Sequence, residues 1–215
     1  MRFAIALLAA LIATPAAAQD AEPAAAPTKT AMKAGFMLLG HIGFSAEAEF
    51  DKIEVGGEKI ADDNKEDLDS NLGIAGIYEM PFRDRLYLGV RLAATKAEGD
   101  DTEQKNTVFD GGLWGRYLMP AGGMNLFLAG AAGPSFSSVE SESGDELSGI
   151  GLHVVLGGGI AIPSGDVDLI AGLFYSHQLF PELVGDVDHP AGGKAEVTVL
   201  DAAVSRMLLS AGARF

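Results

Sequence analysis

Glu196-Val-Thr-Val-Leu-Asp-Ala-Ala-Val-Ser-Arg-Met-Leu-Leu-Ser-Ala-Gly-Ala-Arg-Phe215 closes the chain, and its alternation decides the fold. One face takes Val199, Ala203, Met207, Leu209, Ala211, Ala213 and Phe215. The other takes Leu200, Val204, Arg206, Leu208, Ser210, Gly212 and Arg214, so both arginines share a face. A period of two held this long predicts one strand whose two faces meet different surroundings.

The same alternation recurs upstream. Ile150, Leu152, Val154, Leu156, Ile160 and Ile162 share a face, opposed by Gly149, Gly151, His153, Val155, Gly157, Gly159 and Ala161. Leu86, Leu88, Val90, Leu92 and Ala94 stand against Tyr87, Gly89, Arg91, Ala93 and Thr95. Phe109, Leu113 and Tyr117 stand against Asp110, Trp114 and Arg116. Strands are expected near 34–46, 70–80, 85–96, 107–118, 124–137, 148–162, 167–178 and 196–215, eight in all. A soluble barrel needs a charged solvent face, and the 148–162 strand has none on either side. The bulky aliphatic face therefore belongs against lipid, with small and polar residues in a narrow lumen.

Connections fall into two alternating kinds. Pro81-Phe-Arg-Asp-Arg85, Pro120-Ala-Gly-Gly123 and Pro163-Ser-Gly-Asp166 are short and carry turn-setting residues. Those near 51–69, 97–106, 138–147 and 179–195 are expected to be long polar loops. Tyr78, Phe82, Tyr117 and Phe215 lie near the short-turn rim, where an aromatic girdle belongs. The fold class is thus all-β: an eight-stranded antiparallel transmembrane barrel in up-and-down order.

Residues 1–18, with Arg2, an apolar run and Ala16-Ala-Ala18, read as a signal peptide for export. Residues 19–32 form an Ala/Pro-rich flexible leader, and 33–215 the barrel. Cys is absent, which removes disulfides and a lipoprotein anchor. The formal net charge of −15, one unit more negative once Arg2 is removed, excludes nucleic acid as a partner.

Signal peptide, eight alternating strands, acidic outer loops and terminal Phe215 resemble the small bacterial outer-membrane barrels of the OmpA/OmpX/opacity-protein group. The resemblance covers 34–215 by pattern. It implies a Gram-negative outer membrane after signal cleavage, with outer-membrane lipid and lipopolysaccharide as surroundings. It also makes Phe215 part of a signal read by the barrel-assembly machinery, and no peptidoglycan-binding domain is expected after Phe215, unlike full-length OmpA.

Inward positions hold Glu79, Arg91, Asp110, Arg116, Asp168, Arg206 and Arg214. Charges in so narrow a lumen must pair, so they are expected to form a plugging network. Asp110, Arg91 and Arg206 fall mid-strand; the other four lie nearer the short-turn rim. The function expected is a structural or surface-interaction barrel; the alternatives are a porin-like pore or hydrophobic-substrate conduit, in the manner of OmpW, and then a lipid-modifying enzyme. Ser176-His177 invites comparison with the Ser/His pair of lipid-A deacylases, but neighbouring strand residues point to opposite faces and cannot meet. Inward His41 and His153 are expected only to hydrogen-bond. No catalytic set, cofactor or dedicated metal site is expected. Asp51, Glu54, Glu58, Asp62, Asp63, Glu66, Asp67 and Asp69, then Glu98, Asp100, Asp101 and Glu103, then Glu140, Glu142, Asp145 and Glu146, make acidic loops. Such carboxylates can recruit divalent cations that bridge to lipopolysaccharide phosphates, though no calcium-loop spacing occurs.

Overall fold

A computed structural model describes residues 33–99, 105–140, 144–188 and 193–215. Strands β1 (Gly35–Val55), β2 (Glu58–Arg83), β3 (Leu86–Gly99), β4 (Lys105–Ala121), β5 (Met124–Glu140), β6 (Glu146–Ser164), β7 (Val167–Asp188) and β8 (Lys194–Arg214) form one closed barrel. Each pairs antiparallel with the next, and β8 returns to β1. The seam is tied at its end by two backbone bonds: Phe36 N–H donates to the Phe215 carbonyl at 3.1 Å, and Phe215 N–H to the Phe36 carbonyl at 2.8 Å. The expected signal and leader segments, 1–32, lie outside the described residues.

Two-residue turns close one end at Asp84–Arg85, Gly122–Gly123 and Gly165–Asp166. Gly122 and Gly123 both take positive φ, 56° and 92°, which a two-residue hairpin turn with mirror-image geometry requires.

At the opposite end the expected long loops are mostly strand. β1 and β2 run on to a tight turn at Gly56–Gly57, so 51–69 is a hairpin, not a loop. β7 extends to Asp188 and β8 begins at Lys194, which shortens the expected 179–195 loop to a few residues. Asp100, Asp101, Glu103 and Glu142 lie outside the described residues. Asp51, Glu58, Asp67, Glu98, Glu140 and Glu146, read as loop markers, are instead exposed residues of strands, and beside them Glu49 pairs with Lys65 across β1 and β2, with Lys65 also meeting Glu47 at 3.1 Å.

A break in alternation concealed these extensions. In β1 the inward residues run Met37, Leu39, His41 and Gly43, then Ala46 and Ala48, with Gly43 opposite Asn71 and Ala46 opposite Leu68 of β2. In β7 they run to Phe180 and resume at Leu183; in β8 they run Val197, Val199, then Ala202 and Val204. Pro181 and Asp201 stand between the pairs Phe180–Ala202 and Glu182–Leu200, and Asp201 has φ 50°. A proline offers no N–H to a ladder and suits an unpaired position of this kind. Val199 is therefore on the inner face with Val204, not with Ala203 and Leu209 as the strict period had it, because the slip at Asp201 exchanges the faces.

Elsewhere the faces divide cleanly. Leu113, Ile150 and Leu92 point outward with 75%, 73% and 69% exposure, whereas Trp114, Val155 and Ala93 are buried. Glycines on the inner wall make room for rings: a Cβ on Gly157 would come within 2.5 Å of Phe174 Cδ1 and 2.3 Å of the Leu173 carbonyl oxygen.

Candidate functional site in the barrel lumen

The lower charge layer, nearer the two-residue turns, is centred on Glu79. Its carboxylate is fully buried and accepts hydrogen bonds from Arg116 Nε at 3.0 Å, Arg116 Nη2, Arg214 Nε at 2.7 Å and Trp114 Nε1 at 3.2 Å. Asp168, the direct cross-strand partner of Arg214, stands 3.7 Å from its Nη1. Arg214 Nη2 donates to the Lys33 carbonyl at 2.6 Å. The guanidinium carbons of Arg116 and Arg214 each lie 5.1 Å from the ring centre of Tyr87, within cation–π range. Register builds this layer. Glu79, Gly89 and Trp114 are successive partners across β2, β3 and β4. The side-chain-free Gly89 leaves the carboxylate a path to the indole.

The middle layer is arranged differently. Asp110 accepts from its cross-strand partner Ser135 (Oγ, 2.6 Å) and from Gln178 Nε2, 3.0 Å from each carboxylate oxygen. Arg91 Nη1 stands at 3.9 Å and His153 Nδ1 at 3.8 Å, beyond hydrogen-bond reach. Arg206, buried in the inner face of β8, makes no ion pair among the described residues. His41 meets Thr95 Oγ1 at 3.1 Å, and His153 Nδ1 meets the Pro134 carbonyl oxygen at 3.2 Å.

All seven charged residues singled out in the sequence sit on the inner wall, and five are buried. The structure joins Glu79 with Arg116, Arg214 and Asp168, and Asp110 with Arg91, while Arg206 joins neither set by contact. Sequence reasoning missed Gln178, Ser135 and Tyr87 because it looked for charge. Their inward parity beside Phe174, Ser137 and Gly89 was the available signal. The void in this layer measures about 10 Å³, room for about one water. It touches His41, Arg91, Trp114, Phe174 and Ser210.

Around and above the breaks in alternation the interior becomes apolar. Ala48, Val108, Phe180, Leu183, Val199, Ala202 and Val204 pack together, leaving a void of about 30 Å³ beside Asn106 and Ser137.

Outside the barrel, Ser176 and His177 do point apart, Ser176 being buried inward. His177 instead faces its partner Ser205 across the ladder, with Nδ1 2.9 Å from Ser205 Oγ. Tyr175 stacks on the imidazole and donates to the same Oγ at 3.2 Å. This pair is made by the register of β7 on β8, which the spacing of 28 residues between His177 and Ser205 does not reveal. A serine nucleophile also needs an oriented base and oxyanion donors, and here the backbone N–H groups are engaged in the sheet ladder. The described residues contain no group of three or more candidate metal ligands.

No family model matches the sequence, and no curated protein matches it. Among solved structures, OprG from Pseudomonas aeruginosa is 14% identical over 86% of this chain and 97% of its own, with a TM-score of 0.50. A major outer membrane protein from Thermus thermophilus is 14% identical over 85% and 99%, also at 0.50. Neisserial surface protein A is 19% identical over 83% and 95%, at 0.45. At such identities the likeness to the two structures with a TM-score of 0.50, both outer-membrane proteins, establishes the barrel fold alone.

Proposed function

We propose that this chain is an outer-membrane barrel of a Gram-negative cell, closed through its lumen, with a structural or surface-interaction role carried by its acidic outer end. The observation that carries the reading is the continuous apolar belt. Leu113, Ile150, Leu92, Leu152 and Phe44 point outward at 61–75% exposure, with charged side chains turned inward behind them. Bulky aliphatic side chains facing water all round a barrel would make an apolar surface far beyond the few hundred Å² usual for a soluble monomer. Along β6 the belt spans Ile150 to Ile162. That path rises roughly 40 Å, or about 28 Å after a 45° tilt, which suits the ~25 Å apolar band of an outer-membrane barrel.

The two charge layers support a plug. Arg116, Arg206, Glu79 and His153 fill the cross-section with fully buried side chains. The apolar upper interior supports a small core more than a passage for hydrophobic molecules, since its void holds only about 30 Å³. Export by residues 1–18, recognition of Phe215 by the assembly machinery, contact with lipopolysaccharide, and recruitment of divalent cations by the carboxylates of the outer end belong to the same reading.

Planar-bilayer recording tests it. The intact barrel should insert and conduct little or nothing. A large, steady conductance would overturn the plug and promote the pore.

A further inference from the structure

We propose that the outward-facing row His177, Ser205 and Glu47 is a binding site for an N-acylated amino-sugar lipid of the outer leaflet. The three residues are successive partners across β7, β8 and β1, His177 opposite Ser205 and Ser205 opposite Glu47. All three are partly exposed on the outside of the barrel. The proposal rests on the reading of the acidic end as the outer one. It gives contact with lipopolysaccharide a place, because the membrane anchor of that molecule is an amino-sugar lipid.

The row interrupts an apolar wall. Val154 stands beside His177, and Met207 lies next below Ser205 on the same face. Leu152 and Leu179, one step nearer the outer end, are 65% and 50% exposed. An aromatic girdle accounts for Tyr175, but not for an imidazole and a hydroxyl with leucines still beyond them. Polar side chains turned toward lipid are costly and mark a functional site.

Counting hydrogens gives the class of ligand. Tyr175, Ser205 and His177 carry at least three polar hydrogens. The contacts of Tyr175 and His177 with Ser205 Oγ, at 3.2 and 2.9 Å, use two of them. At least one donor is left for a lipid. On the other side of Ser205, the Glu47 carboxylate offers acceptors only, and Lys65 engages one of its oxygens at 3.1 Å. Strands β7 and β1 flank β8, so imidazole and carboxylate are carried on Cα atoms roughly 10 Å apart. One sugar ring with a hydrogen bond on either side spans that gap. The ligand must present an acceptor and a donor together, as an amide-bearing sugar does. A diacyl phospholipid presents acceptors alone, and its phosphate would meet a carboxylate.

The test is an NMR titration. The isotope-labelled barrel is refolded into phosphatidylcholine bicelles and titrated with a phosphate-free N,O-diacylglucosamine. Amide resonances of residues 175–179 and 203–207 should shift and saturate. The di-O-acylglucose analogue, with an ester in place of the amide N–H, should bind at least fivefold more weakly. Phosphatidylglycerol should leave these resonances where they are. Glu47→Ala and His177→Phe should each weaken the glucosamine lipid at least fivefold, whereas Leu113→Ala, on β4 across the barrel, should not. Where a variant does not insert, the two sugars compared in the unmutated barrel still decide. Shifts that never saturate, equal binding of the two sugars or a matching response to phosphatidylglycerol overturns the site. Indifference to Glu47→Ala and His177→Phe, or an equal loss in Leu113→Ala, overturns it as well. An inserted barrel without the expected shifts leaves the closed outer-membrane barrel standing, so the site and the barrel fail separately.

Discussion

Replacing Glu79 by alanine removes the single carboxylate on which the lower layer converges. Arg116 loses two hydrogen bonds, Arg214 loses one at 2.7 Å, and the Trp114 indole N–H loses its acceptor. The two arginines are not equally exposed to the loss. Arg214 keeps Asp168 at 3.7 Å, the Lys33 carbonyl and a partly exposed side chain. Arg116 is 1% exposed and keeps only the rings of Tyr87 and Phe127. Cation–π contact returns ~1–2 kcal/mol at such a site, against a penalty of ~3–5 kcal/mol for stripping one member from a buried pair. A destabilisation of about 3–4 kcal/mol is expected, dominated by Arg116. Urea titration of the barrel in lipid vesicles, followed by Trp114 fluorescence and by the heat-modifiable band, measures it. The double variant Glu79→Leu, Arg116→Met removes both charges and should recover at least half of the loss. A cost below ~1 kcal/mol for Glu79→Ala, or a double variant no better than the single one, would refute the view that Glu79 is what makes Arg116 tolerable inside the wall.

Other positions separate the faces and the ends. Leu156→Arg, on the exposed face of β6, should cost ~2–4 kcal/mol in vesicles, and His153→Arg on the inner face less; equal penalties would remove the assignment of faces. Deleting Phe215 removes both backbone bonds to Phe36 at the seam and the expected assembly signal, so the membrane-inserted fraction in cells should fall while export continues. Normal insertion would count against that role. Gly157→Val must push its Cβ against the Leu173 carbonyl, which is backbone and cannot turn aside; a loss of ~1–3 kcal/mol is expected by urea titration, and a neutral result would mean that β6 and β7 can separate there. Asp110→Ala frees Gln178 and Ser135 and leaves the middle layer with two unopposed arginines, so brief openings should appear in bilayer recordings of a barrel otherwise silent.

The barrel was legible because its middle obeys a strict period of two. Ile150 to Ile162 and Leu86 to Ala94 can be assigned to faces by counting, and the turns announce themselves through Gly122–Gly123 and Gly165. What counting could not deliver is whatever depends on a slip. One extra step near Phe44, and another near Pro181 and Asp201, exchange inside for outside, so Val199 was placed on the wrong face and Ala46-Glu-Ala-Glu-Phe50 was only partly read as strand. The inner wall was legible as a set of seven charges, but not as two layers with unlike chemistry. Who pairs with whom depends on side-chain reach across three or four strands. Gln178 reaches Asp110 from β7 to β4 across the lumen, and no sequence spacing encodes that distance.

The slips have a physical reason. Inside the belt the barrel is turned inside out relative to a soluble protein: Ile42, Phe44, Leu179 and Leu209 face outward while His41, Gln178 and Arg206 face inward. Once the strands pass the belt they enter water, and the same parity would then expose apolar side chains and bury acidic ones. The break in β1 turns Ala46 and Ala48 inward and Glu47 and Glu49 outward; the break in β7 does the same for Leu183 and Glu182; that in β8 does so for Val199 and Glu196. Across and above the breaks the barrel therefore has an apolar core, in which Phe180 and Val204 from below meet Leu183 and Val199 from above, as a soluble β-structure has. This accounts for long strands where loops were expected, since an extension with its own core and ion-paired outer face can hold a ladder without lipid. It also makes the position of the breaks a marker of the lipid boundary. Phe44 outward at 61% exposure is the last bulky apolar side chain of β1 below its slip, and Glu47 is the first charge above it. Spin labels at 44 and 47 should accordingly fall on opposite sides of that boundary, the first accessible to oxygen dissolved in lipid and the second to a water-soluble nickel chelate. Equal accessibility of both positions to the chelate would detach the slips from the membrane and leave them as features of strand twist alone.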